Sequence, residues 1–264
     1  MKRFTVLALC FLCMLTVFSQ ASVAAERQSY HWYCAHQKGH IQPKADARLS
    51  FVEALGGYYL DHRYSDANGP EKVIYLTFDA GYENGNVAKI LDVMREEEVT
   101  GAFFVLKNLI LKNPELIARM AQEGHLVCNH TMNHRDMSRR SDAELLEELR
   151  GLESLYRECT GLEMARFYRP PEGTFSRENL QCAMENGYKT VFWSFAYPDW
   201  DNEKQPSLER ARQIIMDNIH NGEVMLLHPT SATNAAILQD VIRELKGMGY
   251  RFGTLEELTS RVPS

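Results

Sequence analysis

The sequence contains no basic run, no internal repeat, no low-complexity tract and no interdomain linker. With 29 Lys and Arg against 35 Asp and Glu it carries a formal charge of −6, which gives no electrostatic case for nucleic acid as a partner. Without repeats or linkers, 264 residues suit one well-cored domain rather than an array or two domains. Cysteine is scarce, at six. Cys10 and Cys13 sit in the N-terminal apolar stretch; of the rest, Cys128 lies in an apolar strand pattern and Cys182 in a helix pattern, as buried thiols often do. No disulfide framework is expected from Cys34, Cys128, Cys159 and Cys182. What remains, 45% hydrophobic and 24% charged, is ordinary globular composition.

The apolar run Phe4–Phe18 is shorter than the ~18–20 residues of a membrane span. Lys2-Arg3 precede it, and Ser22-x-Ala24 and Val23-x-Ala25 follow as small-x-small cleavage sites. This is the pattern of a signal peptide over residues 1–25. The expectation is an exported chain, with no stable membrane span after cleavage. Residues 26–70 are irregular and aromatic, and read as a segment wrapped over the main domain, residues 71–264. Cys34, His36 and His40 lie in it at spacings that match no strong metal pattern.

From Val73 onward, short apolar runs alternate with helical patterns. The strands read as Val73–Phe78, Ala102–Leu106, Leu126–Asn129, Phe167–Arg169, Thr190–Trp193, Val224–Leu227 and Tyr250–Phe252. Helix starts are marked by Asn113-Pro114, by the capping box Ser141-x-x-Glu144 and by Ser207; Gly124, Gly161, Gly187 and Gly249 mark stops. About seven strands alternating with helices predict an α/β fold, a distorted parallel (β/α) barrel.

In such a fold the residues just past each strand's C-terminal end share one rim. They are Asp79, His130 and His134, Arg169, Trp193 followed by Asp199-Trp200, and His228. On a helical turn His130 and His134 would share a face and hold a divalent cation. Arg169 precedes Pro170-Pro171-Glu172-Gly173, where the prolines stiffen the backbone and Gly173 lets an N–H face a ligand. Asp199 beside His228 is the arrangement that prepares an imidazole for acid–base work. Bland alternatives stand beside these: Asp79 as the cap of a helix near Asn84, Arg169 as a surface arginine, His228 as a satisfied core histidine. Tyr82, Tyr168, Phe175 and Tyr197 serve equally as sugar-stacking rings or as packing.

Thr77-Phe78-Asp79-Ala80-Gly81, His130-x-x-x-His134, Arg169-Pro-Pro-x-Gly173, Asp199-Trp200 and Leu226-x-His228 resemble, in order, the five motifs of the polysaccharide deacetylase family. This is the NodB homology domain of carbohydrate esterase family 4, and the resemblance spans residues 72–258. Gly81-Tyr-Glu-Asn-Gly85, Phe192-Trp-Ser194 and Tyr58-Tyr59 further resemble the branch that de-N-acetylates muramic acid on the way to δ-lactam in spore cortex. The resemblance implies an exported amidohydrolase acting on peptidoglycan glycan strands in the cell wall or forespore cortex space. The alternatives are an N-acetylglucosamine or chitooligosaccharide deacetylase and a non-catalytic glycan-binding pseudoenzyme. By the same resemblance Asp79 is the general base held by Arg169, and His130 and His134 hold a divalent metal such as zinc. The backbone N–H near Glu172 steadies the oxyanion, His228 oriented by Asp199 is the acid, and Trp200 and Leu226 wall the acetyl pocket. Ala80 stands where the family has a second Asp ligand. The metal is therefore expected to bind weakly, unless Asp79, Glu83 or Asn84 supplies the missing donor.

Overall fold

The computed structural model describes residues 27–260, so the stretch read as a signal peptide lies outside the described residues. One sheet holds β1 (Gly57–Tyr58), β2 (Lys72–Ala80), β3 (Ala102–Val105), β4 (Leu126–Asn129), β5 (Ala165–Tyr168), β6 (Lys189–Val191), β7 (Glu223–Leu227) and β8 (Tyr250–Phe252). The order is β7-β2-β3-β4-β5-β6-β1, with β8 on the first half of β2, and the strand pairings are parallel. A parallel bridge from Phe195, beyond β6, to Met225 of β7 curls the sheet toward closure. The barrel-like α/β fold expected from the alternation is what forms. Seven strands coincide with the sequence reading to within two residues at each end. The eighth, β1, comes from the segment read as a wrap.

The rest of that segment packs its aromatics on the barrel. Trp32, Phe51, Val52 and Tyr59 bury against Phe175 and Phe192, and Tyr30–His31 pairs antiparallel with Thr174–Phe175. The helices are α1 (Val87–Glu96), α2 (Lys107–Lys112), α3 (Pro114–Gln122), α4 (Asp142–Thr160), α5 (Arg177–Glu185), α6 (Leu208–Asn218), α7 (Ala232–Gly247) and α8 (Leu255–Leu258). Helix α1 buries Val87, Ile90, Leu91 and Met94, the one-sided spacing of a surface helix. The Ser141 capping box opens α4, and Gly161, at φ 74°, closes it. Asn113 precedes Pro114 without a side-chain cap bond.

Strand parity positions the site. Along β2, Ile74, Leu76, Phe78 and Ala80 join the core under the helices, while Val73 and Tyr75 join Phe104, Cys128, Phe167, Val191 and Val224 inside the barrel. Side chains alternate with period two. Continuing the inward parity past each strand gives Asp79 on β2, His130 after β4, Arg169 after β5, Trp193 after β6 and His228 after β7.

Candidate active site

Asp79 forms its floor, with Arg169 behind it. Arg169 is fully buried and every donor group is directed: Nε to the Val191 carbonyl at 2.9 Å, Nη2 to Thr77 Oγ1 at 2.9 Å, Nη1 to Asp79 Oδ1 at 2.8 Å. Its guanidinium also lies 4.1 Å from the Phe104 ring centroid. This excludes the surface-arginine alternative. Asp79 ends a strand rather than capping a helix, since α1 begins only at Val87. Burial pushes its carboxyl up, but the positive charges of His130, which the ring carries at low pH, of Arg169 and of His228 together outweigh burial and hold it below the usual carboxylate range.

His130 and His134 meet at one wall, with ring centroids 5.0 Å apart. They do so from a loop, not from the helical turn expected of their spacing: Thr131 and His134 both take positive φ, 69° and 54°. Asn129 Oδ1 receives the Thr131 N–H, and Thr131 Oγ1 receives the His134 N–H. His130 Nδ1 faces the Arg169 carbonyl at 2.8 Å; a carbonyl only accepts, so Nδ1 carries the proton and Nε2 the lone pair. Burial lowers the His130 pKa to about 4, so the ring is neutral near pH 7. Its Nε2 then faces Asp79 Oδ2, 3.5 Å away.

A neutral ring lone pair and a carboxylate oxygen aimed at each other repel unless a proton or cation joins them. On that chemistry the donor set fits a divalent cation, but thinly. No group of three His, Cys, Asp or Glu side chains is gathered for a metal among the described residues. Ala80 is buried in the outer core. Of the three expected substitutes only Asp79 Oδ2 is left: Glu83 accepts the Gly85 and Val87 N–H groups with its two oxygens, and Asn84 bonds the Thr230 carbonyl and the Asn86 N–H.

Opposite stands His228. Its Nδ1 lies 2.7 Å from Asp199 Oδ1, while Asp199 Oδ2 receives the His228 N–H at 2.7 Å and Asn234 Nδ2 at 2.6 Å. Burial works against the charged ring, yet the Asp199 carboxylate overcomes it, and the His228 pKa is raised. With Nδ1 held, Nε2 is the nitrogen left for the cavity. A core histidine would not line a cavity, and His228 does.

Asp79, His130, His134, Glu172, Trp200, Leu226 and His228 all border one cavity of about 780 Å³. Arg169 and Asp199 act from behind it. Glu172 has φ 56° and ψ 14°. The Gly173 N–H is committed to the Pro170 carbonyl at 3.0 Å, so it is not the ligand-facing donor the sequence reading gave it. Gly173 must be glycine: at φ 64° a Cβ would meet Trp193 at 2.8 Å and Trp32 at 3.0 Å. Tyr82 borders the cavity, whereas Tyr168, Phe175 and Tyr197 are buried and serve packing. Asn234 went unread in the sequence, because nothing in a helix's first turn signals a contact 35 residues back. Thr77, two residues before Asp79, was readable from inward parity.

Residues 66–191 match the polysaccharide deacetylase family. The chain is 35% identical over 255 residues to the peptidoglycan-N-acetylmuramic acid deacetylase PdaA of Bacillus subtilis, covering 95% of each. The solved structure of that carbohydrate esterase superposes with a TM-score of 0.81 at 36% identity, over 88% of this chain and 97% of that one. A peptidoglycan-N-acetylglucosamine deacetylase of Bacillus cereus is 32% identical over 71% of this chain and 88% of its own.

Proposed function

Because the chain belongs to the polysaccharide deacetylase family, we propose that it removes N-acetyl groups from muramic-acid residues of peptidoglycan glycan strands. The observation that carries the chemistry is a depressed carboxylate and a raised imidazole bordering one cavity, Asp79 held by Arg169 and His228 held by Asp199. The near full-length similarity to a muramic-acid deacetylase favours that sugar. The similarity to an N-acetylglucosamine deacetylase keeps glucosamine as the second reading. A pseudoenzyme has no need of two separately supported acid–base groups.

In this mechanism Asp79 takes a proton from water, whose oxygen attacks the acetyl carbonyl. His228 gives a proton to the departing amine, which leaves as the free sugar amine with acetate as the other product. The backbone N–H of Glu172 itself stabilises the negative oxygen in between, and Leu226 and Trp200 enclose the acetyl methyl. Family members are in general metal-dependent. His130 and His134, with Asp79 Oδ2, the oxygen that Arg169 does not bond, are the groups that would hold the cation, which would polarise the carbonyl. Action on the wall polymer agrees with the export expected from residues 1–25, and with a step toward muramic δ-lactam in spore cortex.

The test is acetate release from glycan strands with and without stem peptides, and from chitooligosaccharides. Release from peptide-stripped strands is the expected result. Release from chitooligosaccharides alone turns the assignment to glucosamine, and binding without release from any strand turns it to a pseudoenzyme.

A further inference from the structure

We propose that Lys107 is the residue that distinguishes muramic acid from glucosamine, by receiving the carboxylate of the 3-O-lactyl group; this rests on the functional reading above. A muramic residue without a stem peptide carries that carboxylate into the cleft, where loss of water makes a cationic partner valuable. The cavity wall itself supplies no free arginine or lysine, and Arg169 behind it is spent on Asp79. Glu172 on the wall is a carboxylate rooted between Pro171 and the tightly packed Gly173, so it disfavours an anion on its side.

Lys107 follows Leu106, a wall residue, and its Nζ donates to Asn133 Oδ1, one residue from His134. Asn133 is itself set by the buried Glu148 on α4, which takes its Nδ2 at 2.6 Å and its N–H at 2.9 Å. With its NH₂ group so occupied, the Asn133 amide must present oxygen to Lys107. The lysine is thus oriented by a neutral group, and it has no salt bridge among the described residues. Its positive charge remains for a ligand. Arg135, 65% exposed, lies 4.0 Å from Glu148 and balances that carboxylate. The His134 side therefore offers a lysine without an ion-pair partner among the described residues, and the Glu172 side a carboxylate.

The experiment compares peptide-free glycan strands with the same strands after methyl esterification of the lactyl carboxylate. Acetate release gives the ratio of kcat/KM, acid over ester. Wild type should favour the acid about fivefold, the scale of a partly exposed ion pair, and added salt should narrow the preference. Lys107→Gln should remove the preference and Lys107→Arg should keep it. A ratio equal in wild type and Lys107→Gln, with release intact, overturns the assignment. No wild-type release from either strand overturns the functional reading, and this one with it.

Discussion

Asp199→Asn separates the orientation of His228 from its charge. Three N–H donors converge on Asp199: His228 Nδ1 on one oxygen, the His228 backbone and Asn234 Nδ2 on the other. An amide turns its oxygen to only one side, so at least one buried donor loses its acceptor, at a cost of about 1–3 kcal/mol. The Tm should fall by several degrees without loss of the fold. The catalytic loss should be larger. Asp199 is the main group that overcomes burial and raises the His228 pKa, so removing its charge lets burial dominate and lowers the ring's pKa. Less of the ring then carries the proton for the departing amine, and with the ring also unheld kcat should drop by about 10²- to 10⁴-fold, the usual worth of a positioned acid. Because the acid form is lost as pH rises through its pKa, the alkaline limb of kcat should move to lower pH, with partial recovery there. Acetate release across pH 5–9, with melting curves at each pH, measures both effects. An unmoved alkaline limb with kcat near the wild-type value would refute the reasoning.

Asp79→Asn should abolish acetate release while leaving a folded chain, since the amide oxygen still accepts from Arg169 Nη1; full activity in that variant sinks the mechanism. Zinc titration by calorimetry should show weak binding that disappears in His130→Ala/His134→Ala, and tight stoichiometric binding in wild type would contradict the thin donor set. Burial lowers His125, His130 and His220 to about 4. The unfolded chain therefore binds more protons between that value and the ordinary one near 6.5, so stability is full above about 6.5 and declines as pH falls. Each histidine accounts for on the order of 2 kcal/mol by pH 5; equal urea midpoints at pH 7 and pH 5 would show that these rings are not buried neutral. Trp200→Ala should raise KM with a smaller effect on kcat, because the ring is 59% exposed at the cavity edge, and an unchanged KM would remove it from the substrate wall.

The strands, the barrel and the rim were legible because apolar runs and parity are local: once β2 is a parallel strand with Tyr75 inward, Asp79 has nowhere to point but the cavity. The same logic gathers His130, Arg169 and His228 from strands far apart in the chain. Spacing misled where the backbone leaves the regular menu. Four-residue separation of His130 and His134 suggested a helical turn, but a loop with two positive-φ residues brings the rings together instead. Glu83 and Asn84 looked like spare ligands by proximity in sequence. Only the fold shows that Glu83 serves the start of α1 and Asn84 the Thr230 loop. β1 was illegible because two residues, Gly57-Tyr58, carry no strand signal and are held by pairing with Thr190 and Val191.

The replacement at Ala80 changes what is asked of Asp79. One oxygen is bound by Arg169 and the other faces the His130 lone pair, so in the proposed mechanism a single oxygen would serve two tasks, holding a cation and taking a proton from water. A carboxylate whose charge is shared with both a guanidinium and a divalent cation is a weaker base than one paired with the guanidinium alone. Tight metal binding would thus work against proton abstraction in this chain more than in one with a second acidic ligand to carry the cation. Weak metal binding would therefore be compatible with catalysis, since a loosely held cation would still polarise the carbonyl when bound while drawing less on the basicity of Asp79.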